Sequence, residues 1–387
     1  MFLVVPNQDI NSERRKGAFV VKVAVIGAGT SGLSCAIELE RNGIYPQIFE
    51  RNNFIGEYHP HVSAFLGLIT RPVADPIKYI NQNLRIKLEP LNQLRKVIHY
   101  SPHNEVTVTG SLGYFMIRGK EEFSVQGQLY SQIKSKVQFN SFVRPEDLEK
   151  EFDYVVVADG HWSAPERYGI WKEIMRTWLK GGIFEGEFEA DTLQMWLDNE
   201  LTKGIYIYCA PYSKNKAVIA QVVQNIEHEE LNDYWYRFLE SRGILKKYNM
   251  LESWELPHNA GFVKTNRVGN TYFIGAAGGG IEPFLGFGQF NAIITGVMAA
   301  KSIVQGIDIN MLLRDLTKKN RELYTIRSQL DLITNGGYDR LLTVMKTPGL
   351  RSFVYKTDLD VIKYISTGIN LVSKVDEKLK LTLKRGN

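Results

Sequence analysis

Three glycines near the start of the chain, at the spacing Gly27-x-Gly29-x-x-Gly32, constrain the fold more than any other feature. They follow an apolar run typical of a buried strand, Val21 to Ile26, and precede a pattern with helical periodicity. In a strand–turn–helix of this kind the first glycine permits a tight turn, the second lets a ligand approach the backbone, and the third lets the helix pack on the strand. Such a turn directs backbone N–H groups and a helix N-terminus at a pyrophosphate.

A second apolar run, Ile44 to Phe49, ends at Glu50, about 20 residues after the glycines. An acidic side chain at that point accepts hydrogen bonds from a ribose hydroxyl. The turn, its two flanking strands and the acid together predict that the chain binds a dinucleotide. We assign the turn residues Thr30 and Ser31, and Arg51 beside the acid, to the same binding site.

Three later segments carry further signals. Asp153 to Val157 has the pattern of a buried strand and continues into Ala158-Asp159-Gly160. The strand pattern Tyr206-Ile-Tyr-Cys-Ala-Pro211 comes next. A strand from Thr271 then leads through Gly275-Ala-Ala-Gly-Gly to Pro283-Phe-Leu-Gly-Phe-Gly288, where a helix is predicted to begin.

With these segments the sequence resembles the flavin monooxygenase-like superfamily of para-hydroxybenzoate hydroxylase architecture, and within it the geranylgeranyl reductase family. That family has, in the same order, the opening GxGxxG, an ADG segment, a Tyr-x-Trp-x-Phe-Pro strand and a Gly-Asp-Ala-Ala-Gly…Pro-x-x-Gly-x-Gly segment. The resemblance runs from about Lys22 to Gln305 and implies FAD rather than NAD as the dinucleotide. The further cofactor-binding residues that it implies are Arg118, Asp159, Gly160, Gly275, Ala276, Pro283, Gly286, Phe287 and Gly288.

The sequence departs from the family pattern at two places. The acid that holds the flavin ribityl chain in the family is replaced by Ala276, so one hydrogen bond to FAD is missing or comes from another group. Archaeal members have a redox-relevant cysteine in the loop before the substrate cavity, whereas this loop is Gly56-Glu-Tyr-His-Pro-His-Val62. Because the two cysteines, Cys35 and Cys209, lie elsewhere, a cysteine mechanism does not carry over to this chain.

Length and segment order predict an α/β protein with two interleaved domains. A chain of 387 residues, 44% of them hydrophobic, is long enough for more than one core. We expect a Rossmann-like FAD-binding domain interleaved with a mixed, mostly antiparallel substrate sheet, followed by a helical C-terminus. The predicted ranges are 22–65, 115–160 and 265–308 for the FAD-binding domain, 66–112 and 165–262 for the substrate domain, and 309–387 for the helical region.

Composition bears on compartment and partners. Two cysteines far apart in sequence indicate a reducing compartment, and we expect a cytoplasmic protein. The apolar stretch Phe2 to Val5 is too short for the core of a signal peptide, and no run of about 18 apolar residues could span a membrane. A net charge of +5, without a P-loop, zinc spacing or basic–aromatic repeat, indicates neither a nucleic-acid partner nor a metal site.

Candidate substrate-binding and catalytic residues follow from strand periodicity and side-chain chemistry. Tyr206 and Tyr208 fall on one face of a strand, either as the wall of a cavity for an isoprenoid or aromatic substrate or as ordinary core residues. His59 and His61 lie in the loop where the family has its cysteine. Either could donate a proton because histidine titrates near neutral pH, unless both are solvated loop residues. Glu282 is a third candidate acid.

The electron donor and the C-terminal segment leave alternatives open. No second nucleotide fingerprint is present, so electrons would come from transiently docked NAD(P)H, from a ferredoxin or other donor protein, or from a quinol. From Leu359 to Leu383, apolar residues recur at three- and four-residue steps opposite a basic rim. Such a helix either lies on an anionic membrane surface, as a peripheral anchor, or caps the substrate domain.

We therefore predict an FAD-dependent oxidoreductase that reduces carbon–carbon double bonds of a prenyl chain, on a lipid or isoprenoid, with the resemblance supplying the substrate. The alternatives are an FAD-dependent aromatic monooxygenase, a lycopene-cyclase-like isomerase, and a relative that binds a lipid or partner without turnover. Ala276 favours the last two. The paired glutamates that cyclases have after the Tyr208 strand are replaced here by Ala220-Gln-Val-Val223.

Overall fold

The computed structural model describes residues 21–347 together with Gly349 and Tyr355. The strands are β1 (Val23–Ile26), β2 (Gln47–Phe49), β3 (His61–Leu66), β4 (Asn92–Tyr100), β5 (Glu105–Arg118), β6 (Val137–Gln138), β7 (Tyr154–Val157), β8 (Trp171–Met175), β9 (Thr177–Glu185), β10 (Thr192–Trp196), β11 (Tyr206–Pro211), β12 (Lys216–Gln224), β13 (Asn249–Pro257), β14 (Ala260–Val263), β15 (Arg267–Val268) and β16 (Thr271–Phe273). The helices are α1 (Thr30–Arg41), α2 (Gly67–Thr70), α3 (Pro76–Gln82), α4 (Val125–Tyr130), α5 (Pro145–Leu148), α6 (Ser163–Arg167), α7 (Asn199–Thr202), α8 (Leu231–Ser241), α9 (Ile244–Lys247), α10 (Gln289–Gln305), α11 (Ile309–Leu312), α12 (Arg314–Leu330) and α13 (Asn335–Met345), with 3₁₀ turns at His228–Glu230 and Gly275–Gly278.

The first sheet has six strands in the order β15-β16-β7-β1-β2-β6. Five of them are parallel, and β15 pairs with β16 as an antiparallel edge hairpin. The sequences Val-Ala-Val-Ile of β1 and Tyr-Val-Val-Val of β7 are almost entirely buried. Continuous apolar strands of this kind are typical of a parallel sheet that is covered on both faces. The first sheet is therefore Rossmann-like.

Helices α1 and α10 pack against each other in the main core of this sheet. A Cβ at Gly296 of α10 would lie 2.3 Å from the carbonyl oxygen of Ser31 in α1, so only glycine permits this approach. The main core includes Val25 of β1 and Ile294 of α10. A smaller cluster around Phe49 and Phe273 packs separately with residues of α5 and α6.

The second sheet has eight strands in the order β13-β9-β12-β11-β10-β4-β5-β3. All neighbours are antiparallel except β4 and β10, which are parallel. One apolar cluster joins Met195 and Tyr206 of this sheet to Ile281 and the loop before α10. A separate cluster packs Trp235 of α8 against the sheet. The first cluster lies at the boundary between the two sheets.

The predicted α/β fold class is confirmed, but three segments lie in a different layer from the one predicted. β3, within the predicted FAD-binding range 22–65, pairs with β5, whose residues 115–118 were also assigned to that domain, and both belong to the second sheet. Conversely, α3 lies in the predicted substrate range but packs Ile77 and Ile80 into the core of the first sheet. Strands β8 and β14 form a small sheet of their own. The chain crosses between layers more often than its motif order indicates.

Helices α11 to α13 follow the last strand of the first sheet. Arg327 of α12 is buried and bonds the carbonyl of Gly204 and the carboxylate of Asp331. The hydroxyl of Tyr338 in α13 donates to the same Gly204 carbonyl at 3.2 Å. The predicted helix from Leu359 to Leu383 lies outside the described residues. Over the part of the chain that the structure describes, no helix is both long enough and apolar enough to cross a membrane.

Candidate functional site

The Gly27–Gly32 turn has the geometry that its sequence predicts. Gly27 adopts a φ of 101°, and its N–H donates to the carbonyl of Phe49 at 2.7 Å. A Cβ at Gly27 would lie 2.5 Å from the Ala158 carbonyl oxygen, and one at Gly32 would lie 2.0 Å from the Gly27 oxygen. At Gly29 the nearest such atom is 4.0 Å away. The first and third glycines are therefore required by packing, whereas the second leaves space for a ligand.

The N-terminus of α1 is free to bind an anion. Gly29 caps the helix without a side-chain hydrogen bond, and the first turn contains no acidic residue. The N–H groups of the first turn of a helix have no partners within it and carry partial positive charge. Thr30 and Ser31 begin the helix and are buried beside the turn. A pyrophosphate fits this end of α1.

The carboxylate of Glu50 accepts hydrogen bonds from the backbone of the glycine turn and of the segment after β2. The side chain is buried, Oε2 accepts the N–H of Ala28 at 2.9 Å, and Oε1 accepts the N–H of Asn52 at 2.9 Å. Each carboxylate oxygen can accept a second hydrogen bond, so a ribose hydroxyl can still be bound. Arg51 is exposed, and its charge acts on the nearby Asp159 carboxylate.

The Asp159-Gly160 segment follows β7 as predicted. Burial raises the pKa of Asp159, whose Oδ1 accepts the N–H of His161 at 3.1 Å. His161 in turn accepts the N–H of Ser163 through Nδ1, and its ring stacks on Trp162 at 3.9 Å. Gly160 has a φ of 74° and no heavy atom within 4 Å of its Cβ position. His161 is structural, and the open side of the turn is at Gly160.

The 3₁₀ turn Gly275–Gly278 lies directly against the start of α1. Gly275 has a φ of 58°, and a Cβ there would lie 2.5 Å from the hydroxyl oxygen of Ser31. The N–H of Gly275 donates to the Thr295 hydroxyl at 3.0 Å. Ala276 is half-buried and packs against the apolar cluster of the second sheet. The structure thus brings two of the predicted glycine motifs into contact.

Glu282 organises the loop before α10. Its buried carboxylate accepts the N–H groups of Phe284 at 2.7 Å, Leu285 at 3.0 Å and Phe287 at 3.0 Å. Burial raises its pKa to about 7 against the opposing effect of these donors. The same loop contains Pro283, which is buried. Both carboxylate oxygens accept hydrogen bonds from N–H groups of the loop. Glu282 therefore stabilises the loop conformation, and this geometry does not suit a proton donor.

Gly286, Phe287 and Gly288 lead into α10 at Gln289. Gly286 has a φ of 78°, and its carbonyl lies 2.8 Å from Nε2 of His258. Gly288 caps α10 without a side-chain hydrogen bond. The buried amide of Gln289 accepts the Ser63 hydroxyl at 3.2 Å through Oε1, while Nε2 has no partner in the described structure. An unpartnered buried donor therefore lies at the start of α10.

A cavity lies between the second sheet and the start of α10. Including its open mouth it encloses about 970 Å³. Most of its wall surface is apolar, although ten of the lining residues have side chains with a polar group. A mainly apolar wall with placed polar groups is typical of a site for a small organic molecule. The lining residues are His61, Ser63, Ala64, Phe65, Leu66, Ile69, Thr70, Arg118, Leu179, Leu193, Met195, Tyr206, Tyr208, Val222, His258, Glu282, Leu285, Gly286, Phe287, Gly288, Gln289, Phe290 and Asn291.

Both predicted tyrosines line this cavity. The hydroxyl of the buried Tyr206 donates to the Leu285 carbonyl at 2.5 Å, which ties β11 to the loop before α10. The rings of Tyr206 and Tyr208 lie 6.1 Å apart between centroids, and Tyr208 is only half-buried. Burial raises the pKa of both hydroxyls well above the usual range for tyrosine.

The two candidate histidines have different positions. His61 is buried on the cavity wall, with its Nδ1 3.0 Å from the His59 carbonyl. Burial and the neighbouring Arg118 lower the pKa of His61 to about 4, so its ring is neutral at pH 7. His59 does not line the cavity, and its ring stacks on Trp254 at 5.8 Å. Neither placement suits the predicted role of proton donor.

Arg118 lies on the cavity wall rather than at the phosphate turn. Its guanidinium forms an ion pair with Glu57, and its Nε has no hydrogen-bond partner in the described structure. Glu57 Oε2 is also 3.8 Å from Nδ1 of His61. The cavity wall that contains Arg118 includes none of the Gly27–Gly32 residues. The residue thus belongs to the cavity, and if it contacts the cofactor it does so there and not at the Gly27–Gly32 turn.

The two cysteines lie away from the cavity. Cys35 and Cys209 are free and buried, and neither lines the cavity. Burial raises the pKa of both thiols, that of Cys209 to about 12. No group of histidine, cysteine and carboxylate side chains among the described residues could hold a metal ion.

Comparison with known sequences matches the opening segment. Residues 25–61 match the model of an NAD(P)-binding Rossmann-like domain. The flavin-containing monooxygenase FMO GS-OX-like 6 of Arabidopsis thaliana is 32% identical over 169 residues, which are 37% of this chain and 35% of that protein. The match thus spans about a third of the length of this curated relative.

Comparison with solved structures covers nearly the whole chain. A geranylgeranyl bacteriochlorophyll reductase-like protein from Thermoplasma acidophilum matches with a TM-score of 0.68 at 16% identity, over 89% of this chain and 94% of that one. The flavin-dependent brominase Bmp2 matches with a TM-score of 0.63 at 15% identity, over 92% of this chain and 99% of that one. HpxO of Klebsiella pneumoniae, solved with FAD, matches with a TM-score of 0.58 at 17% identity, over 90% of this chain and 98% of that one. The chain has the fold of the flavin-dependent oxidoreductases. The resemblance inferred from the motifs is thereby confirmed at the level of the fold.

Three residues of this cavity were not predicted from the sequence. Glu57 pairs with Arg118, His258 bonds the Gly286 carbonyl, and Gln289 presents an unpartnered amide at the start of α10. Gln289 directly follows the Gly286-x-Gly288 motif, so the helix-start signal could have identified it. Glu57 lies in the Gly56–Val62 loop but was given no role there, and His258 lies outside every motif; only the pairing of distant strands places them here.

Proposed function

We propose that the chain is an FAD-dependent oxidoreductase. The open space at Gly29 and the uncapped N-terminus of α1 fit a pyrophosphate, and Glu50 offers acceptor capacity to a ribose. At the other end, the start of α10 and the unpartnered Nε2 of Gln289 fit a carbonyl acceptor such as those of a flavin ring. The Gly275–Gly278 turn connects these two ends through its contact with Ser31.

The apolar wall of the cavity is the observation that carries the more specific proposal, reduction of carbon–carbon double bonds in a prenyl chain. The aliphatic and aromatic side chains of β3, β9, β10 and the loop before α10 suit an isoprenoid chain and keep water away from it. Bound reduced flavin supplies the hydride. The residues of the cavity hold the chain, orient it and exclude water, and the motif resemblance supplies the prenyl group itself.

The proton that completes such a reduction would come from Tyr208 or from a water molecule bound to it. His61 is neutral at pH 7 and its Nδ1 faces the His59 carbonyl, while the carboxylate of Glu282 is engaged by the loop. Tyr208 is half-buried and lines the same wall. We therefore expect His59→Gln and His61→Gln to retain turnover with FAD bound, and Tyr208→Phe to slow it.

The reaction is tested by anaerobic incubation of the reduced protein with a geranylgeranylated lipid. We expect product masses that rise by one hydrogen pair for each bond reduced, with no oxygen incorporated. An unchanged product mass with new rings would instead establish the cyclase-like alternative. If the purified protein is colourless and takes up no FAD on reconstitution, the enzymatic proposal fails and the non-catalytic binding alternative replaces it.

An aromatic monooxygenase is the second candidate, and the polar part of the cavity wall favours it. Arg118, His61, His258 and the Tyr208 hydroxyl offer several hydrogen-bonding groups in one region, which a phenolic substrate could use. Oxygen consumption coupled to hydroxylation of a phenol, under conditions in which the prenyl lipid is unchanged, would select this candidate.

The source of electrons and the location of the protein complete the proposal. We propose NAD(P)H, a ferredoxin or a quinol as the donor, and the rate at which each bleaches the flavin colour distinguishes them. For location we propose the cytoplasm, with peripheral membrane contact through the segment Leu359–Leu383 as the alternative. Fractionation of cells at low and high salt separates these two, because contact with an anionic surface weakens as salt rises.

A further inference from the structure

Two histidines on the wall of the cavity, His61 and His258, each use one ring nitrogen to bind a backbone carbonyl. Nδ1 of His61 lies 3.0 Å from the carbonyl oxygen of His59, and Nε2 of His258 lies 2.8 Å from that of Gly286. A carbonyl oxygen can only accept a hydrogen bond, so the nitrogen that faces it must carry a proton. These two contacts fix the position of one proton on each ring.

Both rings are neutral at pH 7, so the second nitrogen of each carries a lone pair instead of a proton. Burial lowers the pKa of His61 to about 4, and burial also lowers the pKa of His258. The cation of Arg118 acts on both rings in the same direction. In a neutral imidazole one nitrogen donates and the other accepts. Nε2 of His61 and Nδ1 of His258 are therefore hydrogen-bond acceptors.

These two acceptors have no partner in the protein. Neither Nε2 of His61 nor Nδ1 of His258 bonds any group within the part of the chain that the structure describes. His61 is buried and His258 is half-buried in a wall whose surface is mainly apolar. A buried acceptor without a partner costs free energy, and a ligand that donates a hydrogen bond removes this cost. The cavity thus favours a ligand with a donor group.

The wall around the two acceptors has no surplus of positive charge. The guanidinium of Arg118 forms an ion pair with Glu57, and Oε2 of Glu57 lies 3.8 Å from Nδ1 of His61. One cation and one anion thus cancel beside two neutral rings. A carboxylate or phosphate has no proton to donate to the two lone pairs, and the cation that could attract it is already paired. This arrangement disfavours an anionic ligand.

A hydrogen-bond donor lies on the same wall. Nε of Arg118 is buried and has no partner in the described structure, and the electrostatic influence of Arg118 reaches both histidines. A hydroxyl group donates one hydrogen bond and accepts up to two, so it can bind an acceptor and a donor at once. An ether or a carboxylate can only accept. The hydroxyl is therefore the group that suits this region.

Three further polar side chains of the wall are already engaged within the protein. The hydroxyl of Tyr206 donates to the Leu285 carbonyl at 2.5 Å, and that of Thr70 donates to the Val73 carbonyl at 2.9 Å. The carboxylate of Glu282 accepts N–H groups of its own loop. The two histidines differ from these side chains because their accepting atoms are unoccupied.

We propose that His61 and His258 are specificity-determining residues, and that their unprotonated nitrogens accept a hydrogen bond from a hydroxyl group of the ligand. The rest of the ligand is apolar, because most of the wall surface is apolar. An isoprenoid alcohol and an alkyl phenol share this chemistry. That such a ligand is the substrate rests on the proposed function, whereas its binding does not.

The test compares ligands that differ only in the donor group, with the full-length protein saturated with FAD. Equilibrium dialysis measures the affinities for farnesol, farnesyl methyl ether and farnesoic acid. We expect farnesol to bind about 3- to 10-fold more tightly than its ether, the usual contribution of one hydrogen bond, and more tightly than the acid. A para-alkyl phenol and its methyl ether repeat the comparison. Whichever of farnesol and the phenol binds more tightly identifies the source of the hydroxyl.

The variants His258→Gln and His61→Asn each remove one accepting nitrogen. Their amide nitrogens can take the place of the ring nitrogens that bind the backbone carbonyls, so those hydrogen bonds are kept. We expect the preference for alcohol over ether to fall in each variant and to vanish in the double variant. His59→Gln is the matched control, because its side chain does not line the cavity and its carbonyl is unchanged. This control should keep the full preference.

The measured quantity is a ratio of two affinities from one sample, so partial unfolding of a variant does not change it. Equal affinity for farnesol and its ether in the parent protein would overturn the proposal. So would tighter binding of farnesoic acid, or a full preference for the alcohol in the double variant. Loss of FAD affinity in the double variant, with alcohol and ether bound alike, would mean that the histidines accept an N–H of the flavin ring instead.

Failure of this proposal and failure of the proposed function are distinguishable. If farnesol is preferred over its ether but no double bond is reduced, the hydroxyl site stands and the proposed reaction fails. If a prenyl lipid is reduced while alcohol and ether bind alike, the reaction stands and the hydroxyl site fails. Because the histidines act on affinity, the variants should raise KM for a hydroxylated substrate and retain turnover at saturation.

Discussion

At the scale of single residues, the conformation of the glycine turn depends on one side chain, Glu50, that we also propose as a ligand of the cofactor. Glu50 accepts the backbone N–H groups of Ala28 and Asn52, and so connects the glycine turn to the segment after β2. A hydrogen bond to a charged group contributes roughly 1.5–3 kcal/mol, and a buried N–H left without a partner adds a comparable cost. Binding of the proposed ribose and geometry of the turn would thus be coupled through one carboxylate.

We expect Glu50→Ala to raise the dissociation constant for FAD by about 10- to 100-fold, because it removes a charged acceptor. The variant should also unfold at a lower denaturant concentration, since the Ala28 N–H loses its partner. Fluorescence titration of the apoprotein with FAD measures the first effect. Glu50→Gln keeps one acceptor oxygen and should have a smaller effect. An affinity for FAD unchanged in Glu50→Ala would exclude Glu50 from the ribose site.

Ala276 is the second residue at which a substitution is informative. It is half-buried beside the apolar cavity cluster and occupies the position of the acid in the related family. If the ribityl chain lies there, Ala276→Asp should leave FAD affinity unchanged or tighten it, and we expect this result. Ala276→Asn, of similar volume but uncharged, is the control. A loss of both FAD affinity and melting temperature in the aspartate variant alone would mean that a buried carboxylate is unpaired and that FAD lies elsewhere.

At the scale of elements, the contact between α1 and α10 determines how the two ends of the site are joined. The Cβ position of Gly296 lies 2.3 Å from the Ser31 carbonyl oxygen and 3.0 Å from the Cys35 nitrogen. Neither of these backbone atoms can move without displacing α1. The N-termini of both helices belong to the proposed FAD site, so their spacing sets its length.

We expect Gly296→Ala to lower the free energy of unfolding by about 1–3 kcal/mol, the usual cost of overpacking a core. Gly336→Ala is the matched control, because Gly336 lies in α13 with no heavy atom within 4 Å of its Cβ position. Alanine there should be neutral or stabilise the protein by up to about 1 kcal/mol. Urea denaturation of the two variants and the parent measures the difference. Equal stability of the two variants would contradict the close packing.

The amphipathic pattern of the C-terminal segment predicts that this segment binds anionic membranes. Deletion of the residues after Thr357 should abolish salt-sensitive binding to anionic liposomes and leave FAD bound, because each basic residue near such a surface contributes about 1 kcal/mol. The truncated chain retains Tyr355, whose hydroxyl lies 2.8 Å from Nε2 of His99 and whose carbonyl accepts from Arg71. Loss of flavin or of folding in the truncated protein would instead assign the segment to the core.

At the scale of the whole molecule, buried titratable groups couple stability to pH. Burial lowers the pKa of His61 and of His99 to about 4, and it also lowers that of His258. Each histidine binds its proton more readily in the unfolded chain, so stability falls as the pH drops from about 6.5 towards 4. Glu282, with a pKa raised to about 7, acts in the opposite direction, since its contribution is lost as the pH rises from about 4.5 through 7.

Between pH 6.5 and 4.5 we therefore expect a net loss of stability, because three histidines with lowered pKa values act against two carboxyl groups, Glu282 and Asp159, whose pKa values are raised. His61→Gln should reduce this loss, by up to about 3 kcal/mol if the full shift of His61 is expressed. His103→Gln, at an exposed histidine, is the control. Thermal unfolding at a series of pH values measures the change. A pH dependence of His61→Gln equal to that of the parent would show that His61 is not buried in its neutral form.

The sequence by itself determined the first layer of the molecule and predicted the class of cofactor that we propose. A buried strand, a glycine turn and a helix are decided by local sterics and by the apolar period, so Gly27–Gly32, Glu50 and β7 with Asp159 could be predicted from neighbours in the chain. The alternation of Tyr206 and Tyr208 likewise places both on one face of β11, whatever that face packs against.

Only the tertiary structure decided which side chains surround the cavity. The pairing of β3 with β5 brings Glu57 and His61 to Arg118, and the loop before α10 meets His258 across a long stretch of chain. Local patterns carry no information about such pairings, because the free energy that selects them comes from burial of whole sheet faces. For the same reason the sequence could not distinguish His61 on the cavity wall from His59 two residues away. The hydrogen bonds of Glu282 are local, but they depend on the conformation of an irregular loop, which no periodic pattern predicts.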